Sequence, residues 1–198
     1  MKRAHRPDLY CWSRFDEARD MDFNGYAWTR AGGAILFDPV AMSEHDRAQL
    51  GGGVAWIVVT NSDHMRAARE LADAFDAPIA GPAAERDELE DLGVTRWLCD
   101  GDELVPGLVA LEMQGSKTPG ELAFVLEETT VIAGDIVRSH AGGRLDRLPD
   151  PKLRDLPAAL ASIKRLLDRG RVEAVLVGDG WPAFRDGATL LAELVARG

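Results

Sequence analysis

The run Val54 to Val59, within AWIVVT, is almost continuously apolar and passes without a spacer into Thr60-Asn61-Ser62-Asp63-His64. An apolar strand with no alternation is covered on both faces, so the sheet that holds it is central, with layers above and below. Directly afterwards Met65, Ala68, Leu71, Ala72 and Phe75 recur at helical spacing, with Ser62 or Asp63 placed to cap the first turn. The strand therefore delivers a polar loop and a helix start.

The rest of the chain follows the same logic. Leu9 to Phe15, Gly25 to Arg30 and Ala34 to Phe37 read as an antiparallel opening sheet, with Asn24-Gly25 and Gly32-Gly33 supplying the turns. Asp38-Pro39 stops the third strand, because proline cannot donate to a ladder. Further short strands are expected at Pro78-Ile79, Trp97-Leu98, Leu108 to Met113, Leu122 to Leu126, Val131 to Ala133 and Ala174 to Val177. Leu153, Leu156, Leu160, Ile163 and Leu167 form a helical stripe, opened by Asp150-Pro151 and closed by Gly170, with Pro157 tolerable only in the first turns. Leu190, Leu191, Leu194 and Val195 make a final amphipathic helix. The 198 residues, 46% of them hydrophobic, suit a single core, and no linker or repeat divides them, so residues 1–198 are read as one domain.

Four loops follow strongly apolar strands, the position in which layered folds place their sites. They are Thr60-Asn61-Ser62-Asp63-His64, Gly115-Ser116-Lys117-Thr118-Pro119-Gly120-Glu121, Gly134-Asp135 and Gly178-Asp179-Gly180-Trp181-Pro182. In order and spacing they resemble the metal-binding motifs of the metallo-β-lactamase superfamily, hydrolases that include glyoxalase II and many esterases and nucleases. The resemblance covers nearly the whole chain. Members carry a T-H-x-H-x-D-H loop, a histidine in a P-G-H-T-P-G-H-like loop, an aspartate in a G-D turn and a last histidine in G-H-G-x-P. The resemblance implies a four-layer αβ/βα sandwich, two mixed β-sheets packed face to face with helices on the outer faces.

Most of the family's histidine positions hold something else here. Read without a gap, Asn61 stands at the first histidine, Asp63 at the second, Met65 at the aspartate and Arg66 at the third; with a short gap, Asp63-His64 match the terminal D-H pair instead. Ser116 stands near the next histidine, Glu121 replaces the one closing that loop, Asp135 matches the bridging aspartate and Asp179 replaces the last histidine. Two zinc ions sharing a hydroxide, as the family uses, require several nitrogen ligands, so a dizinc centre is not expected. An oxygen-rich set of Asp63, Asp135 and Asp179 would suit one divalent ion, Mg²⁺ or Mn²⁺ ahead of Zn²⁺.

Lys117 suggests a different solution. Three carboxylates brought together without a cation repel and raise one another's pKa values, and an ammonium paired with Asp135 or Asp179 would relieve this. The plainer reading is a solvated lysine on a loop. His64, Lys117 and Asp135 are thus the catalytic candidates, with Asn61, Asp63, Ser116, Glu121, Asp179 and Trp181 as further pocket residues. His64 reads equally as a capping or surface group, and His5, His45 and His140 lack a spacing partner. Trp12, Trp28, Trp56 and Trp97 read as core, Trp181 as part of the pocket mouth, and Asp150 as a helix cap.

A net charge of −10 argues against a nucleic-acid partner, since a phosphate backbone needs clustered Lys and Arg. No run approaches the roughly 18 apolar residues of a membrane span, no apolar stretch follows the basic start, and Cys11 and Cys99 form no metal or redox pair. A cytoplasmic chain acting on a small molecule, with homodimerisation compatible with its apolar strands, is the expectation. Two functions from different classes remain: a metal-dependent hydrolase of an ester, thioester or phosphoester, and a metal-free relative that binds a small molecule or serves as a structural or dimerisation module.

Overall fold

The computed structural model describes residues 1–169 and 171–198. The first half runs β1 (Lys2–Arg3), β2 (Leu9–Asp16), β3 (Met21–Trp28), β4 (Ala34–Phe37), α1 (Glu44–Ala48), β5 (Val54–Val58), α2 (Ala68–Phe75), β6 (Ile79–Pro82) and β7 (Val94–Leu98). The second runs β8 (Glu103–Val105), β9 (Leu108–Glu112), β10 (Leu122–Leu126), β11 (Thr130–Ile132), β12 (Val137–Ala141), β13 (Arg144–Arg147), α3 (Leu156–Leu167), β14 (Ala174–Leu176) and α4 (Gly187–Arg197). Strands β1 to β7 form one sheet in sequence order, antiparallel as far as β4 and parallel from β4 to β7. The second sheet has the order β14-β11-β10-β9-β8, with β14 parallel to β11, and β12 forms a separate hairpin with β13.

The period-2 alternation of side chains assigns each sheet two faces. In β4, Ala34 and Leu36 face one cluster while Ile35 and Phe37 face another. In β10, Leu122, Phe124 and Leu126 meet Ile35 and Phe37 between the sheets, and Ala123 and Val125 turn outwards. The first sheet's outer face packs on Ala68, Leu71 and Ala72 of α2; the second's packs on Ala159, Ile163 and Leu166 of α3 and Leu191 and Leu194 of α4. Helix, sheet, sheet, helix is the expected four-layer sandwich.

Several local expectations are corrected. Asn24-Gly25 is no turn but lies inside β3, and the hairpin instead closes over residues 17–20, where Asp20 adopts φ +52. Gly25 answers to packing: a Cβ there would sit 2.7 Å from the Trp12 ring laid across it. Neither Ser62 nor Asp63 caps α2, whose N-cap Ala67 makes no side-chain bond; a separate 3₁₀ turn, Ser62–His64, intervenes, and Asn61 caps that turn by accepting from the Asp63 amide at 2.9 Å. Helix α3 opens at Asp155, whose carboxylate accepts from the Ala158 amide, which puts Pro157 in the first turn; Asp150 caps no α-helix and pairs with Arg147. Gly170, read as its stop, lies outside the described residues. Trp12 and Trp28 are buried, whereas Trp56 and Trp97 are half-buried at the margins of the core.

Candidate functional site

The ends of β4, β5, β11 and β14 bring their loops to one edge of the sandwich. At their centre lies Asp38, 2% exposed, in a left-handed conformation with φ +42. Its carboxylate accepts from the Thr60 amide and hydroxyl, both at 2.7 Å, and from His64 Nδ1 at 2.8 Å. The Asp-Pro pair that ends β4 thus also fixes the first turn of the next polar loop. On the far side of the ring, His64 Nε2 faces Asp135 Oδ1 at 3.5 Å. Burial pulls the His64 pKa down, but the Asp38 and Asp135 carboxylates on its two nitrogens outweigh it and raise the value to about 9. At neutral pH the ring is an imidazolium that donates to Asp38 from Nδ1 and faces the Asp135 carboxylate with Nε2.

Lys117 is the second cation. Its ammonium pairs with Asp63 and stands 3.9 Å from Asp135 Oδ2. The lysine is thus both paired and solvated: its ammonium, 40% exposed, meets Asp63 and lies at the edge of reach of Asp135, with Asp179 held elsewhere. Burial alone would raise the Asp135 pKa, but His64 and Lys117 hold it down at about 2. Behind Asp135 lies Glu121, fully buried, accepting from the Ile136 amide at 2.8 Å and from the Ser116 hydroxyl. Burial, with Asp135 next to it, pushes the Glu121 carboxyl up to about 8, so it is protonated at neutral pH. Two cations, His64 and Lys117, then face the carboxylates of Asp38, Asp63 and Asp135.

The cavity above these groups encloses about 700 Å³ and is lined by Asp63, His64, Lys117, Asp135 and Asp179 among others. Asn61, Ser116 and Glu121 are fully buried beneath it and do not line it. Asp179 is drawn away from the other carboxylates by Arg138 at 2.6 Å and His140 at 3.3 Å, so His140 does have a partner. Trp181, 66% exposed, lines a neighbouring cleft instead of the mouth of this cavity.

Four residues shape the site in roles that the sequence does not announce. Asp38 was read only as a strand stop, and its partner lies 26 residues on, beyond any local pattern. Arg66 donates to the carbonyls of Asn24, Asp38 and Gly178, so a guanidinium ties the middle of β3 to the segments that follow β4 and β14. Glu85, fully buried, accepts from the Ser62 amide at 2.6 Å and the Gly120 amide at 3.0 Å, joining two of the loops. Arg138 holds Asp179 as described. Glycine at 178 and 134 lets the groups approach: a Cβ on Gly178 would lie 2.6 Å from the His64 ring, and one on Gly134 would lie 2.8 Å from Thr60 Oγ1 and Glu121 Oε1.

The donor set does not fit the metal centre the fold implies. Asp63, Asp135 and Asp179 are not gathered into one ligand group, as one divalent ion would require, and among the described residues no three His, Cys, Asp or Glu side chains form one. Asp135 Oδ2 is the one carboxylate oxygen here that is buried without a hydrogen-bond partner, and the ammonium nearest to it already supplies positive charge. One open oxygen falls short of the four to six donors that zinc, magnesium or manganese takes.

A family model described as metallo-beta-lactamase superfamily matches residues 1–197. The hydroxyacylglutathione hydrolase of Acidiphilium cryptum is 32% identical over 131 residues, 62% of this chain and 53% of that protein. The acyl-coenzyme A thioesterase MBLAC2 of Bos taurus is 26% identical over 179 residues, 89% of this chain and 59% of that protein. The chain thus spans little more than half the length of these relatives. The crystal structure of the DIM-1 metallo-beta-lactamase superposes with a TM-score of 0.75 at 15% identity, covering 97% of this chain and 94% of that one.

Proposed function

We propose, for a chain that belongs to the metallo-beta-lactamase superfamily, that its pocket works without a metal and binds a small molecule carrying a carboxylate or phosphate. The observation that carries this reading is Lys117 paired with Asp63 and close to Asp135, an ammonium where the fold's chemistry calls for a metal. With the imidazolium of His64 it neutralises the carboxylates from inside, so a divalent ion entering beside them would meet two fixed positive charges.

The wall of the cavity supports an anionic ligand. Lys117, His64 and Arg138 are matched by aspartates, and Arg66 is spent on backbone carbonyls. Arg19 and Lys152, also on the wall, make no ion pair among the described residues, and both are exposed towards solvent. In a chain of net charge −10 they form a local positive rim, which attracts small anions and holds them by charge-assisted hydrogen bonds. His64 is protonated and committed on both nitrogens, which suits it to hold the pocket's charge and not to act as a general base.

A hydrolytic reading has its own support in the open oxygen of Asp135 and in the activities of the two curated relatives. One experiment separates the two. Protein purified without chelator or added metal is expected to contain no stoichiometric metal, to gain no thermal stability from zinc or manganese, and to be stabilised by millimolar phosphate or acetate. A full equivalent of bound metal, with ester or thioester hydrolysis lost on chelation, would overturn the metal-independent reading.

A further inference from the structure

Beside the charged pocket lies a second cavity of about 640 Å³, of different character, with walls that include Trp12, Phe15, Met21, Trp181, Pro182 and Phe184. The large hydrophobic side chains exposed among the described residues are Phe15, Met65, Trp181 and Phe184, and all but Met65 line this cleft. Such a concentration of aromatic surface left in water marks a binding surface, since scattered exposure is the ordinary case. Asp179 lines the pocket and Gly180 the cleft, so the Asp179-Gly180 turn stands between them. It is pinned by Asn24 Nδ2 donating to the Gly180 carbonyl at 2.9 Å and by the Trp181 amide donating to the Ser139 carbonyl at 2.7 Å. Arg138 on the pocket side and His140 on the cleft side both hold Asp179 Oδ2, and Met21 belongs to both walls.

We propose that the two cavities bind one amphiphilic anion, its carboxylate or phosphate head in the charged pocket near Arg19 and Lys152 and its aliphatic or aryl arm across Met21 in the aromatic cleft. This rests on the anion reading given above and adds the arm. Charge decides the orientation. The cleft sets one lysine, Lys2, against two aspartates, Asp20 and Asp22, and gives an ionised head no net attraction, whereas the unmatched cations stand in the pocket. Size decides the class, because each cavity falls within the roughly 300–1,000 Å³ of small-molecule sites. A rigid pinned turn between them suits a flexible chain that passes over it.

The test is calorimetric titration of the purified chain with acetate, octanoate, octyl phosphate and octan-1-ol, with Trp181 fluorescence as a second readout. Octanoate or octyl phosphate is expected to bind on the order of tenfold or more tighter than acetate, because burial of each methylene adds to affinity. The tighter of the two identifies the head. Trp181→Ala is expected to shrink the octanoate-to-acetate ratio and Lys152→Met to weaken both acids. If acetate binds and octanoate binds no tighter, the arm is overturned while the anion reading stands. If octan-1-ol binds as well as octanoate and Lys152→Met changes neither, the head is overturned and the anion reading falls with it. Sedimentation showing a dimer that Trp181→Ala dissociates would assign the cleft to a second copy of the chain and overturn the proposal.

Discussion

His64 is caught between two carboxylates, and its replacement separates the parts of the site. His64→Asn removes the charge while Asp38 and Asp135 stay buried, so unfolding in urea is expected to show a loss of about 3–5 kcal/mol, the range for breaking a buried pair on one side. Lys117→Met is expected to cost only about 0.5–1 kcal/mol by the same measurement, because both Lys117 and Asp63 are well exposed and solvent screens them. No loss at all from Lys117→Met would show that the ammonium is a bystander. Asp63, His64, Lys117 and Asp135 were legible in the sequence because each follows an apolar strand, where a polar residue has few structural reasons to be. Asp38 was not, since the same proline that ends its strand offers a sufficient local explanation. The expected gathering of Asp179 with the other aspartates failed for a related reason: its partner Arg138 comes from a strand of the small β12-β13 hairpin whose sequence carries no strong pattern.

Among the elements, the loops after β5 and β9 are held together by a side chain from neither. Glu85 receives one amide from each, and Glu85→Gln leaves one of those buried amides facing an NH₂ group in place of an oxygen. The expected loss is about 1–3 kcal/mol, the cost of an unmet buried donor, with hydrogen exchange quickening at Ser62 and Gly120 together. Exchange that rises at only one of them would show that Glu85 does not couple the loops. The central strands were legible from their apolar runs, as in Val54 to Val59, whereas β1, β8, β12 and β13, short and partly exposed, were not. The hairpin between β2 and β3 was not. Asn-Gly is the strongest short signal for a tight turn, yet at residues 24–25 the glycine serves the Trp12 ring, and the turn falls in the charged stretch before it.

For the whole molecule the site imposes a pH dependence of stability. His64 and Glu121 both bind protons more tightly in the folded chain. Their contributions are complete below the unfolded values of 6.5 and 4.5 and are lost as pH rises through about 9 and about 8. Asp135 acts in the other direction: its contribution is present above 3.8 and lost as pH falls through about 2. These two groups are therefore expected to lower the melting temperature from pH 4.5 towards about 9, Glu121 acting from 4.5 to about 8 and His64 from 6.5 to about 9, and Glu121→Gln, neutral throughout, is expected to flatten the earlier part of that decline. A profile that is level from mildly acidic to alkaline pH would contradict the assignment of both groups.

The ammonium between Asp63 and Asp135 also constrains the paths by which such a sequence can change. Restoring a single family-like ligand, for instance Asn61→His, adds one nitrogen beneath a pocket that still holds a fixed cation and lacks the remaining donors. Removing Lys117 first leaves Asp63 without its counter-charge and Asp135 with His64 alone. Each step alone is a loss, and a gain emerges only when several are made together, so the substitutions are strongly epistatic. On the proposed metal-free reading such a chain faces a ratchet, and building a metal enzyme on this scaffold has to begin with simultaneous replacement at the lysine and at the ligand positions around it.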